Sequence, residues 1–193
     1  MKRLNKQNIN TPELFNGKFK GEFGMSDLER FEKLAKYFKG GTYVDVGCFD
    51  SPMPVMLKKR FPKSKIFALD FADQVIDYLS KSYPEVDYKL IKDCCELPFK
   101  DNSVEYIVAG EIIEHLEDHK KFIDECFRIL AKGGWLAIST PHVEIEKSNR
   151  IGGREHIWSF DEGDLKTLLN NPEVETLEEQ NNLTWLAWKQ KER

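Results

Sequence analysis

Tyr43-Val44-Asp45-Val46-Gly47-Cys48-Phe49-Asp50-Ser51 joins a short apolar run to a glycine-bearing loop, and Ser51-Pro52-Met53-Pro54 then opens a helical pattern over 54–60. The same order recurs downstream. Apolar runs at Ile66–Leu69, Val104–Val108 and Trp135–Ser139 each follow a turn signal, with helical patterns at Asp73–Ser80 and Lys120–Leu130 between them. A weaker strand, Val86–Ile91, precedes Asp93. Unbroken apolar runs are strands buried on both faces, and their alternation with amphipathic helices means βαβ units. The expected class is α/β, a mostly parallel sheet with helices on both faces.

Outward from this centre the pattern changes. Ser26-Asp27 caps a helical pattern through Leu28, Phe31, Leu34, Ala35 and Phe38, which Gly40-Gly41 ends; residues 1–25 read as an N-terminal arm. In the tail, a helix over Asp161–Leu169 stops at Asn170-Asn171-Pro172. Val174–Glu179 and Leu183–Trp188 follow as strands, split by a Gln-Asn-Asn turn. So short a connection dictates antiparallel pairing, because a parallel crossover needs about a dozen residues. The expected organisation is one domain spanning 1–193.

The chain has 193 residues, 40% hydrophobic and 32% charged, with 13 Phe, 6 Tyr and 4 Trp to fill a core. Net charge is −4, and the longest basic run is Lys58-Lys59-Arg60. That balance counts against a protein that grips nucleic acid through its phosphates. Cys48, Cys94, Cys95 and Cys126 form no C-x-x-C pair, which suits free thiols in a reducing compartment. The N-terminus has no apolar stretch behind its basic start, and no run of about 18 apolar residues occurs anywhere. A cytoplasmic protein without a membrane span is expected.

In open α/β sheets ligands bind beyond the carboxyl ends of the strands, so the residues after each strand are the ones to weigh. The first strand offers Asp45, an acceptor for cationic or hydroxylated groups, and Gly47, where backbone can pass close to a ligand. Asp70-Phe71 after the second suits a ribose diol beside an aromatic ring. Asp93-Cys94 after the third can receive an exocyclic amine, and Ala109-Gly110-Glu111 follows the fourth. Each alone is equally a cap or a turn residue. Four in series describe a nucleoside site.

VDVGCFDS, IFALDF, KDCCELPFKDNSVEYIVAGEIIEHLED and FRILAKGGWLAISTPH resemble the successive motifs of class I S-adenosylmethionine-dependent methyltransferases, and within them the methyltransferase type 11 group. The likeness runs from about Tyr43 to Pro141. Leu97-Pro98-Phe99, Asn102-Ser103 and Glu114-His115-Leu116 are its most specific parts. The resemblance implies a Rossmann-like, seven-stranded sheet with one antiparallel strand, and S-adenosyl-L-methionine as cofactor. It places Asp45 and Gly47 on the methionine part, Asp70 on the ribose, Phe71 on the adenine, and Asp93 and Cys94 at its rim. Gly110 and Glu111 border the transferred methyl. The family's first loop usually reads G-x-G-x-G, whereas Gly47, Phe49 and Ser51 stand in those places here. Phe49 cannot take positive φ cheaply, so this cofactor loop must follow another path or accept strain. A dinucleotide site would instead want G-x-G-x-x-G at this point, and Gly47 stands alone.

For the reaction itself, Glu111, Glu114 and His115 stand at i, i+3 and i+4, one face of a helix, with Ile112, Ile113 and Leu116 on the other. His115 is the first choice of general base, with Glu111 and His156 as further catalytic candidates; the alternative is that His115 braces the strand–helix junction. Glu-x-x-Glu-His with a later His156 also resembles the divalent-metal site of small-RNA 3′-terminal 2′-O-methyltransferases and of ubiquinone-pathway O-methyltransferases. The acceptor-facing lid is expected at 142–160, where His142, Arg150, Arg154, His156 and Trp158 surround Gly152-Gly153 and suit an anionic or sugar-like acceptor. Cys94, Cys95 and Cys126 read as buried small apolar residues. The expected activity is methyl transfer to an oxygen, or second a nitrogen, of a small-molecule or saccharide acceptor. The alternatives are a metal-assisted RNA 3′-terminal 2′-O-methyltransferase and a cofactor-binding module without turnover.

Overall fold

The computed structural model describes residues 2–3, 28–142, 156–179 and 182–192. The Ser26-Asp27 cap, most of the arm, Arg150, Gly152-Gly153 and Arg154 lie outside the described residues, as does most of the Gln-Asn-Asn turn.

In chain order the elements are β1 (Lys2–Arg3), α1 (Leu28–Leu34), β2 (Thr42–Val46), α2 (Met53–Arg60), β3 (Lys65–Asp70), α3 (Asp73–Ser82), β4 (Asp87–Leu90) and β5 (Val104–Gly110). A single 3₁₀ turn at Ile113–His115 leads to α4 (His119–Ile129), β6 (Leu130–Pro141), β7 (Trp158–Ser159), α5 (Glu162–Leu168), β8 (Glu173–Glu179) and β9 (Asn182–Gln190). Seven strands form one sheet in the order β4-β3-β2-β5-β6-β9-β8. The pairs β4/β3, β3/β2, β2/β5 and β5/β6 are parallel, and β9 runs antiparallel to both β6 and β8. This is the Rossmann-like sheet expected, with its C-terminal antiparallel hairpin.

The period-2 alternation of the strands sorts side chains into two layers. Val44, Val46, Ile107, Ala109, Leu136 and Ile138 face Phe122, Ile123, Cys126 and Ile129 of α4 and Leu165 of α5. Tyr43, Ile66, Ala68, Tyr106, Val108 and Ala137 face the other way, against Leu34 of α1, Met53, Val55 and Leu57 of α2 and Ile76 of α3. Both strand faces are dry, which is why the sequence shows continuous apolar runs. The chain winds outward from β2 to β3 and β4, then returns to place β5 on the opposite side. The resulting switch point lies between β2 and β5, at the strands' carboxyl ends.

β6 is longer than the Trp135–Ser139 expected. It starts directly after α4, and its pairing with β5 shifts register between Val104 and Tyr106. Gly134 lies in the irregular part, where a Cβ would sit 2.8 Å from the Glu105 carbonyl oxygen. β1 pairs antiparallel with β7, Lys2 opposite Ser159 and Arg3 opposite Trp158. The start of the arm thus joins the end of the 142–160 segment.

Candidate active site

The loop after β2 is tied to the end of β3 by two backbone bonds, Gly47 and Cys48 N–H both donating to the Leu69 carbonyl (2.8 and 3.0 Å). Gly47 has φ +74°, and a Cβ there would meet Ile112 Cδ1 at 2.8 Å, so glycine is required twice over. Of the two courses open to Phe49, the loop takes strain: its φ is +33°. Two contacts offset it. Phe49 N–H donates to Asp70 Oδ2 (2.9 Å), and its ring packs on Ala72, Val75 and Leu79.

Asp70 also accepts from Ala72 N–H at 2.8 Å. Burial pushes its carboxyl above the ordinary range, against the backbone N–H bonds that favour the charge. Asp45 is as buried as Asp70, each 3% exposed, but lies beneath the loop rather than in the cavity wall. Burial pushes its carboxyl up to about 7, with a hydrogen bond from Ser51 opposing. Its Oδ2 finds no hydrogen-bond partner among the described residues.

Over the carboxyl ends of β2 to β5 lies a cavity of about 400 Å³. Gly47, Phe49, Asp70, Phe71, Asp93, Cys94, Gly110, Glu111 and His115 line it together; Asp45, the first of the strand-end series, does not. The same loops add Cys48, Asp50, Ser51, Ile91, Lys92, Ile112, Leu116 and Glu117. Arg30 and Phe31 of α1 complete it. These two were missed; nothing in the pattern before the first strand marks them. Ile91 and Lys92 had a signal, being neighbours of Asp93 in one strand-end loop.

The expected helix face of Glu111, Glu114 and His115 is corrected. Glu111 takes φ +52°, Leu116 is extended, and the three residues between Ile112 and Leu116 make one 3₁₀ turn. With Glu111 in the left-handed region and Leu116 extended, too few residues remain for an α-helical face, and Ile113 and Glu114 are both fully buried. The side chains separate accordingly. Glu111 Oε1 lies 3.3 Å from Arg30 Nη1 at the cavity. Glu114 turns into the core, accepting from Thr140 Oγ1 (3.0 Å), while its carbonyl accepts from Ile157 N–H (2.7 Å).

His115 lies between these two environments. It lines the cavity, and its Nε2 is 3.9 Å from Glu114 Oε1. His156, outside the cavity wall, packs edge-on against it with ring centroids 4.8 Å apart. One ligand atom each from Glu114, His115 and His156 lie within 4.8 Å of one another. A carboxylate and two imidazoles can hold a divalent transition metal. Glu111, the fourth residue of the proposed metal set, is not in that cluster. Trp158 Nε1 donates to the Leu116 carbonyl (2.8 Å), pinning β7 to the same turn. The expectation for the cysteines is corrected in part: Cys126 and Cys48 are buried, but Cys94 and Cys95 are half-buried and Cys94 faces the cavity.

Residues 44–138 match the family of methyltransferase domains. A probable S-adenosylmethionine-dependent methyltransferase of Mycolicibacterium smegmatis is 30% identical over 115 residues, 58% of this chain and 42% of that protein. A demethylmenaquinone methyltransferase of Listeria welshimeri is 28% identical over 110 residues, 54% of this chain and 47% of that protein. The chain thus spans less than half the length of these curated relatives. Among solved structures, a SAM-dependent methyltransferase from Aquifex aeolicus superposes with a TM-score of 0.67 at 21% identity, covering 94% of this chain and 98% of that one, which speaks for the fold.

Proposed function

The chain belongs to the class I S-adenosylmethionine-dependent methyltransferases, and from that premise we propose that it transfers a methyl group to an oxygen of a small-molecule or saccharide acceptor. The observation that carries the acceptor chemistry is His115, an imidazole in the cavity wall with a buried carboxylate 3.9 Å behind it. When bound, the sulfonium cofactor supplies an activated methyl, so the protein's tasks are to align the acceptor and take up its proton. A hydroxyl acceptor needs that base more than an amine does, and Glu114 would stabilise the imidazolium formed. Asp70 and Phe71 would take the ribose and adenine, Asp93 and Cys94 the adenine rim, and Gly47, Phe49, Gly110 and Glu111 the methionine end. Asp45 supports that end from below. The 28%-identical Listeria protein is named for demethylmenaquinone, a small organic acceptor, which is consistent with this class.

Calorimetric titration with S-adenosylhomocysteine, followed by turnover in His115→Gln, tests the reading. The product should bind in the micromolar range to both proteins, with NAD⁺ silent, while turnover falls by about 10²-fold or more in the variant. No binding would leave a methyltransferase fold used for something else, and equal turnover would demote His115 to a brace.

A second reading rests on the Glu114, His115 and His156 cluster: metal-assisted transfer, in the extreme to an RNA 3′ end. Here the three side chains would hold a divalent cation that lowers the acceptor hydroxyl's pKa. Net charge of −4 weighs against the RNA acceptor. Loss of turnover in EDTA, restored by Mn²⁺, would select this reading over the first.

A further inference from the structure

The turn that follows β4 runs Asp93-Cys94-Cys95, and both thiols and a carboxylate oxygen lie within 4.8 Å of one another. The turn is built to hold them so. Cys95 N–H donates to Asp93 Oδ1 (2.7 Å), folding the carboxylate back over the two cysteines. The Cys95 thiol rests against the Asp118 carbonyl, 3.8 Å away, at the start of α4. Cys94 faces the cavity, so the cluster is reachable from the space that would receive a nucleoside.

We propose that Asp93, Cys94 and Cys95 form a second ligand site, for a thiophilic divalent cation such as Zn²⁺ or Cd²⁺, and that its occupation closes the adenine end of the cavity. Two sulfur donors select against the oxygen-seeking Mg²⁺ and Ca²⁺. Each thiol releases its proton to solvent as its sulfur–metal bond forms, so two protons leave per ion bound. The third donor is the Asp93 carboxylate, and the fourth position of a tetrahedral ion falls to water. Cys126, buried behind the turn in the same apolar cluster, supplies no donor. Burial and the Asp93 carboxylate push the Cys95 thiol up to about 11, with the exposed Lys121 opposing, so the ion must displace a held proton. The consequence for the nucleoside rests on the cofactor reading above; the cation site does not.

The experiment is a Cd²⁺ titration of the reduced chain, followed by the ultraviolet charge-transfer absorption of cadmium thiolates. It is run on the wild type and on Cys94→Ser, Cys95→Ser and Cys126→Ser. S-adenosylhomocysteine calorimetry is then repeated on each protein with and without saturating Cd²⁺, so that every variant is compared with itself. We expect one thiolate-bound ion, an absorption lost in the first two variants and kept in the third, and product affinity about tenfold weaker or worse in the cadmium-loaded wild type, an effect absent from Cys94→Ser and Cys95→Ser. Absorption that is absent from the wild type, or that survives in both Cys94→Ser and Cys95→Ser, overturns the cation site. Product affinity unmoved by saturating Cd²⁺ overturns the coupling. Failure of the product to bind even without cation counts against the cofactor reading, and the absorption still decides the cation site.

Discussion

Asp45 is a carboxyl at the switch point whose burial works against its charge. In the folded chain it titrates near 7, and in the unfolded chain near the ordinary value of about 4. Between those values the folded state holds the extra proton, so the group's contribution favours folding most at the acid end. Stability from this group therefore falls as pH rises from about 4 to about 7, and is flat beyond. Thermal unfolding followed across that window should show the fall in the wild type and a shallower one in Asp45→Asn, where Asp70, also raised by burial, still contributes. Parallel curves for the two proteins would mean that the carboxyl is hydrated. The residue was readable in sequence as a site candidate but not in its role. A strand-end aspartate two residues before a glycine is visible in sequence, whereas its depth under the Ser51 loop depends on how the chain returns. Phe49 is the opposite case. Its conflict with positive φ was legible, and only the structure shows how Asp70 and the Ala72–Val75–Leu79 patch hold it.

At the scale of elements, the strands and helices that pack both faces of the sheet were legible because burial imposes a period on them. The expected limits of α3, α4 and α5 differ from the observed ones by a residue or two, and β6 alone was much underestimated. The connector after β5 was not legible. Periodicity gives Glu111, Glu114 and His115 one face, yet Glu111 takes positive φ and the Glu114 carboxylate enters the core, so tertiary context overrides the helical pattern. The side chains part there: Glu111 goes to Arg30, while Glu114 goes behind His115. His156 reaches His115 because Ile157 N–H bonds the Glu114 carbonyl and Phe160 is buried just before α5. That helix begins with a reciprocal cap, Asp161 Oδ1 accepting from Asp164 N–H (2.8 Å) and Asp164 Oδ2 from Asp161 N–H (3.1 Å). Asp161→Ala should cost about 1 kcal/mol in urea denaturation. Product affinity should be unchanged, since α5 contributes nothing to the cavity wall. A matching loss of affinity would show that the cap is felt at His115.

Across the whole molecule, the part of the site hardest to read is held by the part of the chain farthest from it. Arg30 and Phe31 reach the cavity only because α1 is fastened to the sheet. The Tyr106 hydroxyl donates to the Leu34 carbonyl (2.6 Å), and Tyr37 stacks on Trp135 with ring centroids 4.1 Å apart. The C-terminal hairpin supplies the rest. Lys36 Nζ lies 3.5 Å from the centre of the Trp188 ring and bonds Glu173 and Glu175, while the Tyr37 hydroxyl donates to Glu173 (2.5 Å). Lys191 closes the other layer, its Nζ donating to the Phe127 and Leu130 carbonyls at the end of α4 (2.6 and 2.8 Å). Leu186 and Trp188, at most 1% exposed, also fill the core against α1. Ending the chain at Pro172 would uncover β6, strip the cavity of its α1 wall and open the core. The shortened chain should show no cooperative unfolding and no product binding by calorimetry. Wild-type affinity in that chain would mean that the strand-end loops suffice for the nucleoside, and that Arg30 and Phe31 belong to the acceptor's side of the cavity.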